Sequence, residues 1–192
     1  MKSVLISIRP KWCELIASGK KTVEVRKTKP KLETPFKVYI YCTQDKRLLH
    51  KFDKGERIDD EHFFDEHVFV RRDTWIRGYI GNGKVIGEFV CDTFVTDKTF
   101  GHDALLRAAA CMSDAEAAAY CVNKEMYGWH ISDLKIYDKP KELSEFWHAD
   151  KCPYASKDGC TYEYHCFRAG QTKRCGNELT RPPQSWCYVE EV

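Results

Sequence analysis

Long apolar runs are missing from this chain. None approaches the roughly 20 residues that a membrane-spanning helix requires, so the pattern predicts no transmembrane segment. The opening MKSVLISIRP holds only about five apolar side chains before a charge, too few for the apolar stretch of a secretory signal. Internal repeats and low-complexity linkers are also absent, and 192 residues suit one domain of ordinary size. These absences point to a single domain of a cytoplasmic protein. Net charge is small as well, at +2, yet it is unevenly placed. Residues 1–40 carry ten Lys/Arg against three Asp/Glu, a local charge of +7 that leaves −5 for the remainder. A basic N-terminal segment on an otherwise acidic chain suits an anionic partner.

What is abundant is cysteine, ten in all. Cytoplasmic thiols stay reduced, so a disulfide framework is not expected. Cys13, Cys42, Cys91, Cys111 and Cys121 sit among apolar residues and read as buried thiols. The other five fall within the last 41 residues. Cys152, Cys160, Cys166 and Cys175 follow the spacing C-x₇-C-x₅-C-x₈-C. Four thiolates complete a tetrahedral shell for structural Zn²⁺. The surrounding residues are poor in apolar side chains and need a staple to fold. Without a C-x₂-C pair, an iron–sulfur cluster and free or redox thiols stay open, and His148, His165 or Cys187 could replace one ligand.

Periodicity predicts strands over 3–8, 22–26, 36–42, 84–95, 129–138 and 186–192. It predicts a helix over 9–19, with Pro10 at its first position and Gly19 at its cap. A second helix is expected over 113–126, opened by a Ser113/Glu116 capping box. Residues 44–80 and 147–179 read as insertions. About six strands, mostly antiparallel by connection length, with two helices imply an α+β fold built on a small β-barrel.

The stretch GKKTVEVR, residues 19–26, carries the densest chemistry. Val23 and Val25 alternate with Thr22, Glu24 and Arg26, which puts the polar three on one strand face. Lys21 and Arg26 are charge-assisted donors suited to phosphate. Lys20, Lys27, Lys29 and Lys31 extend the positive field or serve only as a solvated face. Glu24 can orient Arg26 or accept from a base edge. Trp12, Tyr39, Tyr41 and Trp129 can stack on a base or belong to the core.

The stretch also resembles the G-x-K-x-x-E-x-R signature of the ASCH family of PUA-like β-barrels, through Gly19, Lys21, Glu24 and Arg26. The order SIRP, helix, motif strand, VYIYCT, VIGEFVCD, WHISDLKIYDKP and PPQSWCYVE is similar to that family over residues 3–43, 84–145 and 180–191. The resemblance implies a PUA-like mixed or antiparallel barrel. It also implies a cleft for RNA or a nucleotide, lined by Lys20, Lys21, Thr22, Glu24 and Arg26, with Trp12 and Trp129 beside them. It admits a second reading, a small hydrolase acting on a modified nucleoside or on RNA. Some similar proteins are amidohydrolases with a threonine nucleophile where this chain has Glu24, and a carboxylate there gives an unsuitable mixed anhydride. Candidate catalytic groups would be Lys21, Glu24, Thr22 and Glu88, and for RNA cleavage also His130. A protein-interaction adaptor fits the basic asymmetry less well. Oligomeric state is not legible.

Overall fold

A computed structural model describes residues 2–44, 72–73, 78–79, 83–97, 104–120, 126–149, 155–156, 159–160 and 178–192. In chain order the elements are β1 (Lys2–Ile8), α1 (Pro10–Ala17), β2 (Val23–Arg26), β3 (Phe36–Cys42), β4 (Arg72–Asp73), β5 (Gly78–Tyr79), β6 (Val85–Cys91) and β7 (Phe94–Asp97). They continue with α2 (Ala104–Ala109), α3 (Asp114–Tyr120), β8 (Met126–His130), β9 (Ser132–Lys141), a 3₁₀ turn (Leu143–Glu145), β10 (Ala155–Ser156), β11 (Gly159–Cys160) and β12 (Trp186–Glu190). No helix among the described residues is long and apolar enough to cross a membrane.

Five strands pair in the order β12-β1-β3-β6-β9, and three pair as β2-β8-β7. The β1–β3 ladder is parallel, and the other ladders of these two sheets are antiparallel. Two short ladders, β4-β5 and β10-β11, are also described. This is a mixed α+β arrangement.

The runs SVLISI and FKVYIYC are apolar almost throughout because the larger sheet is covered on both faces. Val4, Ile6, Val38, Ile40, Ile86 and Phe89 point to one side, where they meet Cys13 and Ile16 of α1 and Trp129 of β8. Leu5, Tyr39, Tyr41 and Val85 point to the other, against Phe146, Leu179 and Val189. The smaller sheet turns Val23, Val25 and Met126 toward Leu106 of α2 and Ala110 just beyond it.

Two expected strands each divide in two. The stretch 84–95 becomes β6 and β7, broken at Asp92–Thr93, and 129–138 becomes β8 and β9, broken at Ile131. In each case one half belongs to the large sheet and the other to the small one. Ser132 Oγ donates to Val90 O at 2.9 Å and His130 N to Thr93 O at 3.1 Å, so both strands turn the corner together. The breaks span only Asp92–Thr93 and Ile131, too short to divide a strand-like pattern in the sequence.

The ladder beside the corner is irregular at Gly87, where the register with β3 and with β9 shifts. A Cβ at Gly87 would lie 2.4 Å from the backbone oxygen of Lys135. A backbone atom cannot rotate away as a side-chain tip can. Gly87→Ala should therefore cost about 1–3 kcal/mol, the usual range for overpacking. A urea-unfolding midpoint equal to wild type would refute this.

Local signals hold at the helix ends. Pro10 occupies the first position of α1, and Gly19 follows it at φ 72°. Ser113 Oγ accepts from Glu116 N at 3.2 Å while Glu116 Oε2 accepts from Ser113 N at 3.0 Å. That reciprocal pair opens α3, described to Tyr120. Helix α2 has no counterpart among the expected elements.

Both long excursions leave and return at neighbouring points. Gly83 N donates to Cys42 O at 2.9 Å across the β3–β6 hairpin. Leu179 N donates to Phe146 O at 2.9 Å, and Trp147 bridges Glu178.

Candidate functional site

Residues 20–22 do not continue the alternation of the motif strand. Lys21 N donates to Leu15 O at 2.8 Å and Thr22 N to Ala109 O at 2.9 Å, so the approach to β2 is clamped between the ends of α1 and α2. This turns Lys21 inward and leaves Thr22 exposed. Strict parity would have put Thr22 on the face of Glu24 and Lys21 on that of Val23. The ammonium of Lys21 donates to Ala110 O at 2.7 Å, just past the end of α2. Carbonyls at a helix C-terminus lack helical partners and carry partial negative charge, so a cation is favoured there.

Glu24 projects from β2 with Lys21 on one side and Arg26 on the other. Its Oε2 lies 3.4 Å from Lys21 Nζ and its Oε1 3.0 Å from Arg26 Nη2. Arg26 Nη2 also donates to Ser7 O at 2.6 Å. Lys21 is 3% exposed and Glu24 5%. Burial pulls the Lys21 ammonium below the ordinary lysine range, and the Glu24 charge opposes that pull. With both oxygens engaged, the carboxylate orients two cations. The Nε of Arg26 is buried without a hydrogen-bond partner. Two cations on one carboxylate leave this cluster net positive.

The cluster forms the floor of a cleft of about 560 Å³. Trp12 of α1 stands in one wall, with Lys21 Nζ 5.0 Å and Lys11 Nζ 4.7 Å from its ring centroid. Glu116 and Tyr120 of α3 stand in another. Lys11 Nζ bonds Glu116 Oε1 at 3.0 Å and ties the two helices. Glu116 is held down at about 2, chiefly by the backbone N–H of Ser113, so it stays ionised. Pro182, Pro183 and Gln184 close the remaining side. Ser7 anchors them, its Oγ donating to Pro183 O at 2.7 Å.

The structure thus gathers Trp12, Lys21, Glu24 and Arg26. The open phosphate grip expected of Lys21 and Arg26 becomes a buried, ion-paired floor. Other expected members lie elsewhere. Trp129 is 0% exposed and its ring packs against Phe36, Phe94 and Trp186, so it is core rather than a stacking surface. Tyr39 and Tyr41 are buried on the far face of the large sheet. Lys20 and Thr22 are exposed and do not line the cleft. Glu88 is removed from it too, because it lies opposite Tyr39 in the ladder, accepting from Tyr137 Oη at 2.5 Å with Lys37 3.8 Å away. His130 pairs with Asp92 at 2.7 Å outside the cleft lining. Sequence reasoning misses Arg9, Glu116, Tyr120 and the 182–184 segment as cleft residues. Only the SIRP and PPQSW runs hint at segments bordering a cleft.

Of the four proposed zinc ligands, Cys160 is described in its backbone alone, paired with Ala155, and Cys152, Cys166 and Cys175 lie outside the described residues. So do Cys121 and His165. Among the described residues no group of three or more His, Cys, Asp or Glu could share an ion. Cys187 pairs with Leu5 in the sheet, and burial pushes its thiol up to about 11. Cys13, Cys42 and Cys91 are buried as expected, while Cys111 is half-buried, its Sγ 3.3 Å from Lys20 O.

The family model of the ASCH domain matches residues 6–141. No curated protein matches the chain. Among solved structures, a tyrosine-to-phenylalanine variant of the ASCH protein from Zymomonas mobilis aligns with a TM-score of 0.55 at 15% identity, covering 100% of this chain and 92% of that one. The unmodified Zymomonas mobilis ASCH protein aligns with a TM-score of 0.51 at 16% identity, covering 98% and 88%. At such identities the likeness is one of fold.

Proposed function

Because this chain belongs to the ASCH family, a group of PUA-like modules, we propose that it binds RNA or a nucleotide in the cleft floored by Lys21, Glu24 and Arg26. The observation that carries this reading is a net positive, desolvated floor beneath a half-buried tryptophan. A flat aromatic wall accepts any base face, and stacking contributes about 1–3 kcal/mol per base. Buried donors below it discriminate by edge, because an acceptor missing from the ligand leaves them unpaired. Lys21 and Arg26, which line the cleft, carry such donors. Exposed Arg9 at the rim supplies charge for phosphate. Binding is favoured over hydrolysis because both oxygens of Glu24 are already engaged and Thr22 lies off the cleft.

Trp12→Ala should weaken binding of a single-stranded RNA by roughly 5- to 150-fold, the equivalent of one stacked base, with the unfolding midpoint measured alongside. Unchanged affinity in fluorescence anisotropy would remove the cleft from consideration. The setting we propose is the cytoplasm, where cysteines stay reduced. Cys152, Cys160, Cys166 and Cys175 are proposed to hold one structural Zn²⁺ within the 147–179 insertion.

A further inference from the structure

Immediately after the motif strand the chain reads KTKPK, residues 27–31. Lys27, Thr28, Lys29 and Lys31 are all exposed, while Pro30 is buried. The backbone here is pinned. Trp186 Nε1 donates to Thr28 Oγ1 at 3.0 Å, and Lys31 N donates to Tyr188 Oη at 2.7 Å. Two of the lysines lie over aromatic rings. Lys27 Nζ is 4.8 Å from the centroid of Tyr120, a residue of the cleft wall. Lys29 Nζ is 5.4 Å from Phe94 and 5.6 Å from Tyr127. The segment therefore starts at the cleft mouth and crosses the edge of the small sheet toward β12.

Its charges differ from several other surface cations in having no acidic partner among the described residues. Lys11, Lys37, Lys84 and Arg107 each meet a carboxylate. Lys27, Lys29 and Lys31 form no ion pair with a carboxylate among the described residues. Glu33 is the one acid in the sequence between residues 27 and 35. A row of unneutralised cations on a pinned backbone, continuous with a cleft, presents positive charge with little ordering left to lose on binding.

We propose that Lys27, Lys29 and Lys31 form a track for the phosphates of a single-stranded RNA whose base occupies the cleft, so that the strand leaves past Tyr120 toward Tyr188. This rests on the cleft reading, but it makes its own demand. Phosphate contacts position a strand and release counterions, and they carry no base preference.

The test uses the full chain, a fluorescein-labelled single-stranded RNA of mixed sequence, a nucleoside monophosphate, and vesicles containing phosphatidylserine. The triple variant Lys27→Gln, Lys29→Gln, Lys31→Gln changes only exposed side chains. It should weaken RNA binding and make the slope of log affinity against log salt shallower by about 0.7 for each phosphate no longer neutralised. Affinity for the monophosphate should not change. Arginine at the same three positions should restore the RNA slope. An unchanged RNA affinity and slope would overturn the track, as would an equal weakening for the monophosphate, which would place the lysines in the cleft itself. Lysine-dependent vesicle binding without RNA binding would overturn it in favour of a membrane surface. Trp12→Ala separates the two readings. If it alone weakens RNA binding, the cleft stands and the track falls; if the triple variant alone does, the lysines grip phosphate with no base at Trp12, which overturns the cleft reading and a track that leads from it.

Discussion

Glu24→Ala should destabilise the protein by about 3–5 kcal/mol, the usual cost of removing one partner of a buried ion pair. Glu24 is almost wholly buried and holds Lys21 and Arg26, themselves largely out of water. Without it, two cations face each other at the cleft floor with no compensating charge. Lys21 would keep one carbonyl partner, Ala110 O, and Arg26 would keep Ser7 O. Lys21→Met in the Glu24→Ala background should recover much of the stability, because one stranded charge is then gone. Urea unfolding followed by tryptophan fluorescence reads both. A Glu24→Ala cost under about 1 kcal/mol, typical of a surface pair, would mean that the cluster is solvated rather than buried.

The same cluster has a pH signature. Lys21 titrates below an unfolded lysine, because burial disfavours its charge more than Glu24 restores it. Between those two pKa values the unfolded chain binds more protons at this site. Stability from Lys21 therefore rises with pH across that alkaline window and falls as pH drops back toward the folded pKa. Lys21→Met should flatten that rise.

Removal of metal should have the second large effect, and a local one. If the four cysteines bind Zn²⁺, purified protein should carry about one zinc per chain. Chelation should make 147–179 protease-sensitive while the far-ultraviolet β signal persists. The structure sets where the damage stops. Phe146 and Leu179 are buried in the core beneath the larger sheet and are joined by a backbone hydrogen bond, so the base of the insertion is held by the sheet and not by metal. Cys166→Ser should mimic chelation, since a serine hydroxyl stays protonated and coordinates poorly. A metal-free protein whose 147–179 segment resists protease would refute the site.

The extent to which the sequence foretells the site follows from the range of each signal. Pro10, Gly19 and the Ser113/Glu116 box act within a few residues of their own backbone, and each stands where its local chemistry places it. Glu24 and Arg26 share a face because strand alternation is also local. Thr22 departs from expectation because alternation does not extend beyond the true start of β2. Lys21 reaches Glu24 from a clamped turn instead, held by the ends of two helices. Trp129 is ambiguous in the sequence because an apolar ring on a strand serves equally well as core or as wall. Its pairing with Glu24 across β2–β8 sets it beside the cleft, while Phe36, Phe94 and Trp186 enclose its ring.

By itself the sequence determined the family, the main strands, the first helix and the three charged residues of the floor, since these depend on residue type and short spacing. Only the tertiary structure decided that those charges are buried, that Tyr120 and the 182–184 segment wall the cleft, and that Glu88 and Tyr39 lie elsewhere. It also decided that two long strands bend from one sheet into the other. Burial and proximity are set by which faces of distant strands come together, and that pairing over more than a hundred residues has no local spacing in the chain.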